Sequence, residues 1–480
     1  MIAEALAGLV FLPLLAACAV AVLPGRMRTL AVAIGTLPLA PLVVPVVREV
    51  ALLGEVTLAV AGFDRPLGIV WRVDPLAAVL LGLNAVIALV VGAYAASGRA
   101  PASASGRRFW PLWLLLIAGM NALVLSADLF NLFVTLELVT IAAIGLLVVD
   151  GTAAALRAAM RYLVLALLGS VAYLLGVALV YGQAGTLDLY QAGPLLAGDA
   201  LAVTALVLMT VGLLLKSAIF PLHGWLPAAH GNAPGPVSAI LSAMVVKVSL
   251  YLVWRLWFWF AADWSLAWAL PLLGALGAGA ILYGSALALV QTRLKMIVAY
   301  STVAQLGYLM LLFPLLGAVA FSAATYHLVS HGLAKAAMFI AAANLLKGMG
   351  SDRLEHLHGA DRRLPLDVFT LALAGVSILG LPPSGGFVAK WLMLQAAWAE
   401  SGWLWIAVIV IGGLLAAAYL FRPLAVLTAR PPVEPQATAS VSRRASLYGL
   451  VLALSALAAG FVPAPVLAFL AGGAPPGVTP

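Results

Sequence analysis

Cysteine occurs once, at Cys18, in 480 residues. One cysteine excludes a disulfide framework and a cysteine-ligated iron–sulfur cluster. Cys18 sits in an apolar run and reads as a small packing residue. Charge is scarce as well. Only 9% of residues are charged, against about 25% in a soluble globular chain. Apolar residues make up 65%, where ~45–50% is usual. So few charges, 25 basic and 17 acidic, cannot cover a water-facing surface of this chain's size. A soluble enzyme, a nucleic-acid binder and a disordered chain are therefore excluded, and the solvent is lipid. No basic region precedes the first apolar run, which carries Glu4 instead. That run is long enough to span a bilayer and does not read as a cleavable leader.

What the chain does have is long apolar runs. A helix needs about 20 apolar residues to cross hydrocarbon. Fourteen segments meet this expectation, near 2–23, 29–47, 75–96, 110–126, 129–149, 159–181, 201–222, 235–258, 268–290, 296–313, 316–346, 368–398, 403–421 and 445–470. The fold class is thus an all-α polytopic membrane protein. Loops on one side of this layout hold 17 of the 25 Lys and Arg residues, and loops on the other hold only Arg48, Arg65, Arg72 and Arg255. A wrong span count would scramble that bias, so it supports an even number of spans with both termini on the non-cytoplasmic side. The net charge of +8 is topology, not a nucleic-acid surface. The linker 49–74 has two β-prone runs, 56–60 and 67–71, around a turn-like Asp64-Arg65-Pro66, which predicts a small external hairpin. The Pro-rich stretch Arg430–Pro435 reads as a cytoplasmic loop.

Five charges remain well inside the spans, away from their ends. Four are lysines, Lys216, Lys247, Lys335 and Lys390; the fifth is Glu137. An ionisable group at mid-bilayer costs at least ~2.5–3.5 kcal/mol, so the set costs on the order of 12–18 kcal/mol before any pairing. Lys216 and Lys335 could snorkel to a helix end, which is the bland reading of a membrane lysine. Lys247 lies too deep for that, and Glu137 has no long stem. Arginine would suit a permanent ion pair; lysine gives up its proton when buried. An all-lysine set is what a proton relay needs.

Two spans carry helix breaks beside these lysines. Lys216 is followed by Pro221 and Pro227, and Lys390 is preceded by Pro382-Pro383-Ser384-Gly385-Gly386. Irregular backbone at membrane depth is tolerated where it is buried or lines a cavity. The breaks fall in the seventh and twelfth spans, which have opposite topology. That pattern predicts two inverted five-helix repeats, spans 4–8 and 9–13, each with its fourth helix broken. His327 and His331 share one helix face at i, i+4, and Lys335 continues it. That spacing could hold zinc, but no carboxylate or thiol is near to complete a site, so no metal is expected. A proton-relay row is the favoured reading. His223 and His230 beside the first break are secondary candidates. His356 and His358 fall in a charged loop and read as solvated.

These motifs resemble a known family. The run from Lys216 through Pro221-Leu222-His223-Gly224-Trp225-Leu226-Pro227-Ala228-Ala229-His230 to Lys247 is similar to the core of the proton-translocating antiporter-like membrane subunits. Such subunits occur in respiratory complex I, membrane-bound hydrogenases and Mrp-type multisubunit Na+/H+ antiporters. His331-Gly332-Leu333-Ala334-Lys335, the Gly380–Lys390 motif and Asp128-Leu129-Phe130-Asn131-Leu132-Phe133-Val134-Thr135-Leu136-Glu137 match as well. Within the family the chain looks most like the D-type member of the Mrp antiporters. A lysine at 390 agrees with that type, whereas some complex I paralogues carry a glutamate there. One departure is Ala142-Ala143, where the family usually has Ser-Tyr.

The resemblance implies roles. Glu137 and Lys216 would form the ion pair of the first half-channel, with Lys247 the next station. His327, His331 and Lys335 would bridge the halves, and Lys390 would end the second. It implies a secondary ion transporter subunit rather than an enzyme, with no cofactor of its own. Expected partners are other hydrophobic subunits, H+, a monovalent cation such as Na+, and the lipid of a prokaryotic plasma (inner) membrane. The rival is a proton-pumping subunit of a complex I-like oxidoreductase or membrane-bound hydrogenase; an assembly scaffold is the third. The expected division is 1–109 for three N-terminal spans, 110–258 and 259–421 for the half-repeats, and 422–480 for a loop and final span.

Overall fold

The computed structural model describes residues 2–63, 68–430, 439–473 and 475. The expected turn at Asp64-Arg65-Pro66 and all but the first residue of the loop 430–435 lie outside the described residues. Bilayer hydrocarbon offers no hydrogen-bond partners, so long apolar runs must satisfy their backbone internally and form helices. The elements in order are α1 (Ile2–Val22), α2 (Gly25–Leu53), β1 (Val56–Ala59), β2 (Val70–Val73), α3 (Pro75–Gly98), α4 (Ala104–Leu125), α5 (Leu129–Leu147), α6 (Ala153–Ala184), α7 (Leu189–Leu195), α8 (Ala200–Lys216) and α9 (Leu226–Asn232). They continue with α10 (Gly235–Phe260), α11 (Ala267–Val290), α12 (Leu294–Leu315), α13 (Gly317–Met349), α14 (Pro365–Leu379), α15 (Gly385–Ala399), α16 (Trp403–Thr428), α17 (Arg443–Ala458) and α18 (Pro463–Ala471). The predicted hairpin is present: β1 and β2 pair antiparallel, with Val56 opposite Val73.

The helix starts are written in the sequence. Asp74, Asp128 and Asp199 and the hydroxyls of Ser103, Thr152, Ser384 and Ser442 each accept a hydrogen bond from an amide in the first turn that follows. These caps satisfy amides that the helix itself leaves unpaired. The acidic residues of the loops therefore start helices as well as avoid lipid.

Among the described residues, eleven helices are long and apolar enough to cross a membrane, or twelve if α17 and α18, bent by 72°, are one span. The sequence reading gives fourteen. The difference lies at the two proline breaks. Segments 201–222 and 368–398 are not continuous helices, and their first halves, α8 and α14, are too short to qualify alone. The break falls fourth in each run of five, α4 to α10 and α11 to α16, as the repeat pattern predicts.

Burial sorts the helices into centre and rim. The most apolar window of α10 is wholly buried, and that of α13 is 89% buried. α13 packs against α3, α10, α12, α14, α15 and α17 and is the hub of the bundle. By contrast α6 turns Val164, Leu168, Val171 and Leu175 outward, a stripe for lipid or a neighbouring helix. Cys18 is also exposed, on α1, so it does not serve as interior packing.

Two basic residues assigned to loops are buried in helices. Arg255 is 3% exposed within α10, because the helix runs on to Phe260 through a π-helical turn at 256–260. It makes a bidentate pair with Asp74, at 2.5 and 2.7 Å, and its Nε donates to the Tyr251 hydroxyl at 2.8 Å. Lys295 is 3% exposed in the first turn of α12 and donates to the carbonyl of Ala233 at 2.6 Å. Replacing one member of a buried pair strands the other charge and costs about 3–5 kcal/mol. Arg255→Met is therefore expected to lower thermal stability by that order, measured by melting the purified protein in detergent.

Candidate functional site

The site begins where α8 ends. Leu215 and Lys216 close a helix whose next hydrogen-bonded turns are interrupted at 217–225, with a cis peptide at Phe220–Pro221. The last carbonyls of a helix lack intrahelical donors and carry partial negative charge, so a terminal ammonium is favoured there. Lys216 is 4% exposed. Its Nζ donates to Glu137 Oε1 at 2.7 Å and to Thr140 Oγ1 at 3.0 Å. Glu137, on α5, also accepts from the Ser170 hydroxyl of α6. Three helices thus meet on one carboxylate.

The second break repeats this chemistry. α14 stops at Leu379 and α15 starts at Gly385, with a cis peptide at Pro382–Pro383. A Cβ on Gly386 would lie 1.8 Å from the Ser377 carbonyl oxygen, so only glycine lets the two halves approach. Lys390 reaches back from α15 and donates to the end carbonyls of α14, Ile378 at 2.9 Å and Leu379 at 3.1 Å. Lys390 thus places its ammonium at the C-terminal end of a half-helix, whereas Lys216, itself the last residue of α8, sends its ammonium to Glu137 and Thr140 of α5.

Between the breaks lie the other stations. Residues 241–245 of α10 form a π-helical turn, a common mark of functional helices. Lys247, fully buried, donates to the Ser242 and Ala243 carbonyls of that turn, both at 2.8 Å. Lys335 of α13 is fully buried too; it donates to the Val298 carbonyl at 2.5 Å and to Ser301 Oγ at 2.7 Å on α12. The snorkelling reading fails for Lys216 and Lys335 alike, since both ammonium groups are buried on partners inside the bundle. His327 Nε2 is 3.2 Å from the Gln305 carbonyl oxygen, and its ring stacks on that of His331 with centroids 5.6 Å apart. Tyr308 joins this pair to the second break: its ring centroid is 5.4 Å from that of His327 and 4.7 Å from Lys390 Nζ. Next to His331, a Cβ on Gly332 would lie 3.2 Å from the Ala243 carbonyl oxygen, which also accepts from Lys247. The centre is one file of ionisable groups.

His230, fully buried on α9, stacks on Phe339 of α13 at 4.8 Å, and the same Phe339 ring lies 5.6 Å from Lys335 Nζ. It belongs to the file. His223 does not: it sits in the first break between Phe220 and Tyr283. Pro221 and Pro382-Pro383 fall inside the breaks, while Pro227 lies in the first turn of α9. Among the described residues no group of His, Cys, Asp and Glu could hold a metal ion. Sequence reasoning missed Thr140, Ser170 and Lys295. Thr140 was legible, one turn on from Glu137 on the same face. Ser170 was not, because it comes from another helix.

Fold and site define a polytopic helical membrane protein with a buried file of lysines and histidines threading two broken helices. The chain belongs to the family described as NADH:quinone oxidoreductase/Mrp antiporter, TM, whose pattern matches residues 126–416. It is 37% identical over 370 residues to the NADH-quinone oxidoreductase N subunit of Desulforudis audaxviator, covering 76% of this chain and 73% of that protein. It is 29% identical over 375 residues to the Na(+)/H(+) antiporter D subunit of Bacillus subtilis, covering 77% and 75%. Among solved structures it is similar to a chain of the Mrp complex from Dietzia sp. DQ12-45-1b, with a TM-score of 0.88, 25% identity and coverage of 98% and 96%.

Proposed function

We propose that the chain is the proton-conducting subunit of a multisubunit monovalent cation (Na+)/proton antiporter in the plasma membrane of a prokaryote. The observation that carries this is the Glu137–Lys216 pair at 2.7 Å, held at a helix break and backed by a buried file of proton-exchanging groups. Glu137, ionised, supports the charged ammonium of Lys216. Opening the pair removes that support, and Lys216 passes its proton through water toward Lys247. The charge then moves over His331, His327 and Lys335 to Lys390, each transfer changing the affinity of the next station. The 98% coverage of a chain in an Mrp complex supports this assignment, as does the lysine at 390. The basic loops would face the cytoplasm. Partners would be further hydrophobic subunits.

A second reading keeps the proton path and changes the engine. The 37% identical relative is a subunit of an NADH-quinone oxidoreductase, which favours a redox-driven complex. The purified complex decides between them. In proteoliposomes, an imposed Na+ gradient is expected to drive proton movement without any electron donor. Co-purified flavin and iron–sulfur clusters, with proton movement only on adding donor and quinone, would overturn the antiporter assignment.

A further inference from the structure

A cavity of about 560 Å3 opens on the basic face of the bundle. Its wall includes Tyr94 and Arg99 at the end of α3, Ser105 of α4, Pro236 of α10, and Asn344 and Lys347 at the end of α13. One water needs about 10–15 Å3 of such space, so the cavity admits a water cluster. Arg99 is paired with Asp150 at 2.6 Å.

Behind this wall lies a carboxylate that the sequence reading left in a loop. Asp367, in the first turn of α14, is only 1% exposed. Its Oδ1 accepts from Asn344 Nδ2 at 2.8 Å and its Oδ2 from the Ser446 hydroxyl at 2.7 Å. Asn344 Oδ1 in turn accepts from the Tyr94 hydroxyl at 2.9 Å. An amide does not shuttle protons; Asn344 fixes the carboxylate and the phenol in place. Among the described residues no lysine or arginine is hydrogen-bonded to this acid, unlike Asp74 with its arginine. A buried carboxylate without such a partner is costly unless it has work to do.

The same network touches the route to the file. A Cβ on Gly235 would lie 3.4 Å from the Tyr94 hydroxyl, so the phenol abuts the start of α10. There Ser238 Oγ donates to the His230 carbonyl at 2.9 Å and closes the elbow between α9 and α10. The His230 ring is fully buried, and among the described residues neither of its nitrogens has a hydrogen-bond partner. Its ring stacks on Phe339 at 4.8 Å, and the same Phe339 ring lies 5.6 Å from Lys335 Nζ, so one aromatic side chain joins His230 to Lys335.

We propose that this vestibule is the port through which protons are taken up from the basic face, and that Asp367 captures them there and hands them toward His230. In the step itself a proton leaves hydronium in the vestibule and binds the Asp367 carboxylate. It then passes through water and the Tyr94 hydroxyl to a free nitrogen of His230. No bond between heavy atoms changes. The inference rests on the reading of the chain as a proton conductor.

The test uses the whole complex in proteoliposomes, reading cation-driven proton movement. Asp367→Asn keeps the shape and loses the exchangeable proton; transport is expected to fall more than about tenfold with subunit composition unchanged. Asp367→Glu is expected to restore it, which a merely structural role for the carboxylate's shape would not give. Independently, Ser105→Cys in a Cys18→Ser background is labelled with a bulky, impermeant maleimide from the basic face. Labelling is expected to cut transport more than about tenfold, with no effect of the reagent on Cys18→Ser alone. Wild-type rates in assembled Asp367→Asn overturn the proposal. If that variant does not assemble, wild-type rates in labelled Ser105→Cys overturn it instead. Lys216→Ala separates the two levels. If it is inactive while Asp367→Asn transports normally, only the uptake port fails; if it also transports normally, the proton-conductor reading fails.

Discussion

Glu137→Ala is expected to abolish proton translocation while leaving insertion and assembly intact, and Lys216→Ala is expected to do the same. The two side chains share one hydrogen bond, 2.7 Å long, at a point where α5, α6 and α8 converge. Removing the carboxylate strands an ammonium that is 4% exposed. Stranding a buried charge costs about 3–5 kcal/mol. Glu137 itself is 21% exposed, on the α5 face that also turns Phe130, Val134 and Ile141 outward. Thr140 and Ser170 cannot replace the lost charge, since a hydroxyl is neutral. The reciprocal change, Lys216→Ala, leaves Glu137 with Ser170 alone and removes the group that hands on the proton. The measurement is cation-driven proton movement in proteoliposomes holding the whole complex, normalised to its content. Antiport near the wild-type rate in either assembled variant would sink the mechanism. Because the two residues act as one unit, the double variant is expected to be no worse than either single one.

Much of this site was legible in the amino-acid order alone, because a bilayer makes charge conspicuous. Lys247 stood out by depth, and it is fully buried. Lys216 and Lys390 stood out by the proline breaks beside them, and the breaks split the seventh and twelfth segments. His327, His331 and Lys335 were readable from helical spacing on one face. What the sequence hid was of two kinds. Arg255, Lys295 and Asp367 sit near segment ends, where apolar content cannot tell a loop from the last turn of a buried helix. Their burial depends on what packs over them: Asp74 from the start of α3, the Ala233 carbonyl, and Asn344 with Ser446. The other kind is the partner from a distant helix, such as Ser170 for Glu137 or Tyr308 for Lys390. No local spacing encodes those. Span count failed for a related reason. A broken helix gives one apolar run in sequence and two short helices in space.

Lys390→Arg is expected to be as inactive as a deletion of the charge, while folding like the wild type. The ammonium of Lys390 is 6% exposed, donates to the carbonyls of Ile378 and Leu379, and faces the Tyr308 ring at 4.7 Å. A guanidinium can make the same kinds of contact, since it donates to carbonyls and stacks on aromatic faces. Arginine therefore conserves charge, hydrogen bonding and most of the stability. What it cannot do is release a proton at physiological pH. If Lys390 served only to pin the end of α14 to α15, Lys390→Arg would keep substantial transport, and removing the charge altogether, as in Lys390→Met, would be the more damaging change. If Lys390 is the terminal proton station, both variants stop translocation, and only Lys390→Met loses the two carbonyl bonds. Those bonds to a charged donor are worth about 1.5–3 kcal/mol each. Thermal melting should therefore rank the variants with Lys390→Arg near wild type and Lys390→Met well below it, while proton movement is lost in both. Retained transport in Lys390→Arg would remove this residue from the proton path and leave it a purely structural clamp on the second break.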